Sequence, residues 1–258
     1  MKLKFIAAAL AIGLSAQANA DVALPSTGNG SLFLSIWDTN GSYTLDLSKT
    51  INAFDADVAA AGNLNLSWAF DSTYQSFIAG VADLSALKYN IVAADSQGQN
   101  RILTTYNGSL PVPGVGNKQN DEMRTAAGIK TSDFLNAVNP LMANVPGSSI
   151  AVDSTSPAFA GKAAWGQNFG GLMGFSNAGT FANDSYANGT GFMRIEALAT
   201  GIALPNHINY ADGGYNVKTW IDANGFHIAA VPEPEAYAMF LAGLGMVGAI
   251  ARRRRNAV

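Results

Sequence analysis

His207 and His227 are the only histidines among 258 residues, and Glu122 and Glu196 are the only glutamates before residue 231. A serine-type triad needs one such histidine beside a serine and an oxyanion hole, yet no G-x-S-x-G sequence occurs. Zinc needs three or four nitrogen or sulfur ligands, and there is no cysteine to supplement two histidines. Both histidines therefore read as surface or core-edge residues. Paired carboxylates can cleave glycosides without histidine, but neither Glu122 nor Glu196 stands in a recognisable acid–base context, and both read as solvated. Asp38-Thr39-Asn40-Gly41-Ser42, with Asp46 nearby, offers oxygen ligands for calcium. It lacks a 12-residue loop ending in glutamate, and a hairpin already accounts for Asn-Gly. Gly243-Leu244-Gly245-Met246-Val247-Gly248 matches G-x-G-x-x-G, but the chain ends in arginines and no acidic residue follows, so a dinucleotide site does not result. No catalytic residue, metal site or cofactor is assigned.

The elements that would carry these residues are mostly strands. From Ser31 to Tyr106 the pattern has period two: Leu32, Leu34 and Ile36 alternate with Phe33, Ser35 and Trp37, and Tyr43, Leu45 and Leu47 share a face. Asn40-Gly41 predicts a type I′ hairpin turn, as does Asn224-Gly225 between Tyr215–Ile221 and Phe226–Val231. Further strands are predicted at Leu64–Phe70, Ser76–Val81, Lys88–Ala94, Arg101–Tyr106 and Gly191–Leu198. Asp121 caps a short helix through Ala127, and Thr131 or Ser132 caps a second, in which Phe134, Leu135, Val138 and Leu141 share a face until Pro140 bends or ends it. Residues 146–188 read as connections, with short strands around Trp165 and Phe175. The expected fold is mainly β, a β-sandwich-like single domain over residues 21–230 with a short helical excursion. Trp37, Trp68, Trp165 and Trp220 read as core filling; the alternative is that Trp37 or Trp220, at strand ends near the hairpin turns, presents a ring on which sugars stack, which would make the domain a carbohydrate-binding module.

Composition narrows the function classes. Residues 21–230 carry 9 Lys plus Arg against 16 Asp plus Glu, a net charge of −7. Such a surface excludes nucleic acid, which requires a cationic stripe. Without cysteine there is neither a disulfide framework nor thiolate chemistry, so stability rests on packing. The N-terminus reads as a secretory signal peptide over residues 1–20: Lys2 and Lys4, an apolar run from Phe5 to Leu14, and Ala18-Asn19-Ala20 as the cleavage site, with Asp21 beginning the mature chain.

The C-terminus reads as an address. Pro232 and Pro234 bar a helix from extending back through Val231-Pro232-Glu233-Pro234. Ala236–Ala251 then forms a predicted transmembrane helix. At 1.5 Å per residue it reaches roughly 24 Å, close to the roughly 30 Å of a hydrocarbon core once arginine stems snorkel. Arg252, Arg253, Arg254 and Arg255 form a cytoplasmic stop, leaving the preceding domain across the inner membrane. The cassette over 231–258 closely resembles the PEP-CTERM sorting signal of Gram-negative bacteria. That resemblance implies recognition by the membrane protease-transpeptidase exosortase near Pro232-Glu233-Pro234, transient anchoring in the inner membrane, and delivery to a surface or exopolysaccharide matrix. The expected function is that of an exported, non-enzymatic surface or matrix protein. The alternatives are a carbohydrate-binding module or, third, an exported glycoside hydrolase.

Overall fold

The computed structural model of the chain describes residues 21–62, 64–98, 100–107, 118–143, 148–197, 201–230, 244 and 246. In chain order its main elements are β1 (Ser31–Trp37), β2 (Gly41–Thr50), α1 (Ile51–Ala61), β3 (Asn65–Trp68), α2 (Ser72–Ile78), β4 (Lys88–Ala94) and β5 (Arg101–Tyr106). There follow α3 (Asn120–Thr125), α4 (Thr131–Met142), β6 (Ser149–Asp153), β7 (Gly179–Thr180), β8 (Thr190–Glu196) and β9 (Asn206–Asn209). The last four are β10 (Ala211–Asp212), β11 (Tyr215–Asn216), β12 (Lys218–Asp222) and β13 (Gly225–Ala229). Eleven strands form one sheet in the order β3-β13-β12-β8-β5-β4-β1-β2-β6, with β7 on β4 and β9 on β8. The mainly β expectation is met.

This one antiparallel sheet curls on itself. Leu32, Leu34 and Ile36 of β1, Tyr43, Leu45 and Leu47 of β2, and Phe226 and Ile228 of β13 meet in one buried cluster, although β1 and β13 lie far apart in strand order. Trp68 on β3 donates its indole N–H to the Leu47 carbonyl of β2 at 3.1 Å. Tyr89 on β4 donates to the Thr219 carbonyl of β12 at 3.0 Å. Along β1 the alternate residues Phe33 and Trp37 face the other way, into a second cluster roofed by α3, α4 and residues 158–178. Both faces are thus buried, which is why β1 and β5 read as buried at every position.

Two helices stand where the sequence predicts strands or nothing. Ser76–Val81 is not a strand: α2 runs over Ser72–Ile78, because the Asp71 carboxylate accepts the Tyr74 amide at 2.9 Å and Tyr74, Phe77 and Ile78 pack inward at helical spacing. In α1, Thr50 caps the start, Gly62 at φ 62° ends it, and Ile51, Phe54 and Val58 supply the buried stripe. The two helices expected around 121–141 are one continuous rod. A π-helical turn at Ala126–Lys130 joins α3 to α4, and Thr131, expected as a cap, returns its hydroxyl to the Ala126 carbonyl at 3.0 Å. Asp121 does not cap either; its carboxylate accepts the Gly201 amide at 2.8 Å. Leu141 is 41 % exposed while Met142 is buried, because the inward stripe of Phe134, Leu135 and Val138 continues through Met142 and leaves Leu141 at its margin.

The segment around Trp165 and Phe175 contains turns rather than strands. Trp165 stacks on Phe134 at 4.6 Å and 5°, and plugs the outer cluster from above. Both predicted hairpins form, β1 with β2 and β12 with β13. Their turns are not type I′, since neither Asn40 nor Asn224 has positive φ. An aspartate two residues before each Asn-Gly does the work instead: Asp38 accepts the amides of Asn40 and Gly41 at 2.7 and 2.8 Å, and Asp222 those of Asn224 and Gly225 at 2.7 and 3.2 Å. Glycine is required at both places for closeness. A Cβ on Gly41 would lie 2.8 Å from the Val152 carbonyl oxygen, and one on Gly225 2.1 Å from that of Trp68.

Candidate functional site

The predicted sorting residues Val231, Pro232, Glu233 and Pro234, the predicted helix 236–251 apart from Leu244 and Met246, the stop Arg252–Arg255 and the predicted cleavage residues Ala18 and Ala20 lie outside the described residues. What the structure describes is the place where each end meets the folded body. Ala230 is buried, and its amide donates to the Leu64 carbonyl at 3.0 Å; the Leu64 amide in turn donates to the Asp212 carboxylate at 2.5 Å. Ala230 is the last described residue before the proline motif and is held by a backbone bond, and Pro232 has no N–H with which to extend a ladder. At the other end Asp21 is exposed whereas Val22 is fully buried. The Asn139 side chain grips Val22 twice, accepting its amide at 3.2 Å and donating to its carbonyl at 3.0 Å.

The carboxylates are engaged. Asp55 on α1 pairs with Arg194 at 2.9 Å and Arg101 at 3.4 Å, and accepts the Tyr210 hydroxyl at 2.6 Å. Arg101 also meets Asp95 at 2.6 Å, and Arg194 meets Glu196 at 2.9 Å, the last pair close but off hydrogen-bond geometry. Three carboxylates thus share two guanidiniums. This network fastens α1 across β5 and β8, and burial together with Asp55 pushes the Tyr210 hydroxyl far above the usual tyrosine range. Glu122 accepts the Gln119 amide at 2.8 Å and the Lys118 ammonium at 3.1 Å, and these bonds hold its carboxyl below the usual range. A general acid needs the reverse shift.

The histidines fall on different strands. His227 on β13 stacks on Trp220 at 4.9 Å and pairs with Asp222 at 3.1 Å. His207 on β9 is half-buried, its Nε2 has no partner among the described residues, and burial lowers its pKa. Asp38 and Asp46 spend their oxygens on turns, Asp46 accepting the Ser48 amide at 2.9 Å where Ser48 adopts φ 52°. Among the described residues no group of three or more His, Asp or Glu could hold a metal ion. Trp37, Trp165 and Trp220 are buried and Trp68 is partly buried. A cleft of about 490 Å³ lies beside the first hairpin, lined by Trp37, Asp38, Asn40, Asp83, Lys88 and Phe159 among others.

A profile of the PEP-CTERM protein-sorting motif matches residues 230–255. The chain carries a PEP-CTERM sorting signal at its C-terminus. The match begins at Ala230, where the backbone bond to Leu64 closes the sheet, so the PEP-CTERM signal starts where the described body stops. It covers the proline motif, the apolar run and all four arginines, and stops three residues before the last residue, Val258. A PEP-CTERM signal implies export and recognition by exosortase, a membrane protein. Among the described residues no helix is long and apolar enough to cross a membrane. No curated protein and no solved structure matches the chain.

Proposed function

We propose that the chain is an exported, non-enzymatic protein of the cell surface or extracellular matrix. The signal peptide carries it out and is removed after Ala20. The helix 236–251 holds it briefly in the inner membrane, with Arg252–Arg255 on the cytoplasmic side. Exosortase then acts near Pro232-Glu233-Pro234 and leaves the β-rich body among exopolysaccharide. The observation that carries this reading is the PEP-CTERM match beginning at Ala230. Its partner is the N-terminal boundary: cleavage after Ala20 leaves an exposed Asp21 followed by a buried Val22 that Asn139 holds by two hydrogen bonds. Engagement of Glu122 and Glu196 in capping and ion pairing supports a body without hydrolytic chemistry. The buried tryptophans count against stacking of sugars on indole faces.

Cell fractionation with and without exosortase tests the proposal. The expected result is a shorter chain at the surface or in the medium when exosortase is present, and an inner-membrane precursor of greater mass when it is absent. Identical mass and location in both strains would overturn it.

A further inference from the structure

Beside Ala230, where the chain leaves the body for its tail, β10 and β11 form a two-stranded sheet of their own, with Ala211 opposite Asn216 and Asp212 opposite Tyr215. Two links in series tie this hairpin to the exit point. The Asp212 carboxylate accepts the Leu64 amide at 2.5 Å, and the Leu64 carbonyl accepts the Ala230 amide at 3.0 Å. The tip also abuts the turn before Leu64: a Cβ on Gly213, which adopts φ 56°, would lie 2.7 Å from the Gly62 carbonyl oxygen. At the base, the Tyr186 hydroxyl donates to the Asn216 carbonyl at 2.8 Å and the Val217 amide to that of Tyr210 at 2.8 Å. What the hairpin presents to solvent is uncharged. Asp212 is buried, its carboxylate turned to Leu64, and Ala211, Gly213, Gly214, Tyr215 and Asn216 are exposed. Tyr215 is 46 % exposed, whereas Tyr43, Tyr74, Tyr89, Tyr106 and Tyr210 are buried.

We propose that the β10–β11 hairpin is the part of the body that touches the bilayer while the precursor is anchored, with Tyr215 seated among the lipid headgroups. This rests on the anchoring by helix 236–251 given above. Reach sets the first constraint: Ala236 comes six residues after Ala230, a span of no more than roughly 22 Å even when fully extended. The headgroup layer takes up roughly 5–8 Å of that reach. A body held at Ala230 therefore rests close to the headgroups, and the residues around Ala230 face them. Charge selects the same patch. Residues 21–230 carry −7, so anionic headgroups repel the body as a whole and favour contact through a surface without free charge. Tyrosine suits that depth, because its ring is apolar and its hydroxyl stays hydrated. Comparably exposed apolar residues are held elsewhere: the segment of Leu84 lines the cleft beside the first hairpin, and Ile202 and Leu204 lie on the loop bonded to α3 through Gly201 and Ala203.

Because the chain has no cysteine, single labels report depth directly. The full precursor from cells lacking exosortase is placed in nanodiscs of phosphatidylethanolamine and phosphatidylglycerol, with an environment-sensitive fluorophore on one introduced thiol. Leu244→Cys reports the anchor, Tyr215→Cys the hairpin, and Leu84→Cys an exposed reference. At 244 and 215 the emission is expected to shift to the blue and to lose its quenching by iodide, while 84 stays water-like and fully quenched. A label on Asn216→Cys is expected to lose its protection when Tyr215→Asp is added, a change on an exposed side chain. Protection at 244 with a water-like signal at 215, or equal signals at 84 and 215, overturns the lipid contact and leaves the anchor standing. A water-like signal at 244 overturns the anchoring and the contact with it. Protection at 215 that appears only after exosortase is added assigns the hairpin to the protease and likewise overturns the lipid contact.

Discussion

The two faces of the sheet solve the same burial problem in opposite ways. The inner face is closed largely by the sheet itself: strands from both ends of the order bring Leu34, Tyr43, Phe226 and Ile228 together, and α1 and α2 are added as plugs. The outer face is closed by parts that are not strands, namely the α3–α4 rod and the turn-rich stretch that carries Trp165 and Phe169. Closure by curling uses backbone pairing that is needed anyway. Closure by a loop depends on a few large side chains. The outer face therefore concentrates its stability in single residues, and the inner face spreads it.

The largest effect that can break this contrast is expected at Trp165. Trp165→Ala removes a ring stacked on Phe134 and packed against Phe33, and is expected to cost about 3–5 kcal/mol in denaturant unfolding. Hydrogen exchange should show lost protection over residues 158–178 and α4 before the inner strands; uniform loss would erase the distinction. Next comes Asp55→Ala on the inner side, which strands Arg101, Arg194 and Tyr210 without their shared carboxylate. The expected cost is about 2 kcal/mol, reduced by the partial exposure of the pair. Trp68→Phe keeps the stack on Phe226 but loses the bond that draws β3 toward β2, at about 1 kcal/mol. A loss near zero would mean that packing alone curls the sheet.

The smallest effect is a pH effect at Asp46. Burial raises this carboxyl above the usual range even though the Ser48 amide opposes the rise. The folded state therefore binds the proton more tightly than the unfolded chain, and its contribution to stability falls as pH rises from the unfolded pKa through the folded one. Asp46→Asn keeps an oxygen for the Ser48 amide and removes that decline. Relative to the parent it is expected to gain stability from about pH 4 upward and to match it in more acidic solution. Urea midpoints at both ends of the range check the sign.

The contrast also explains what could be read from the sequence. Leu32, Leu34 and Ile36 against Phe33 and Trp37 announce a two-sided strand, and Lys88–Ala94 and Arg101–Tyr106 fall at their predicted bounds. Alternation is a local property, so these strands were legible. α2 was not, because Tyr74, Phe77 and Ile78 lie in a span short enough to fit either period, and Asp71 decides the matter as a cap. Trp165 carries no periodicity at all; its position comes from Phe134, 31 residues earlier. Both turns held a readable signal in Asp-x-Asn-Gly, whose first residue outweighs the Asn-Gly pair. The sorting signal was the most legible feature, since proline, apolar run and arginines act by composition and order rather than by folded neighbours.

β13 lies between β12 and β3, and both ladders run to its last residues, with Ala229 opposite Lys218 and Asn65. A pull on the chain beyond Ala230 therefore loads two rows of bonds in shear at once, instead of peeling them singly from an edge. The body can act as a mechanical stopper on its own tail. Force spectroscopy through the C-terminus should find a rupture force above that for pulling at β3, and equal forces would remove this role.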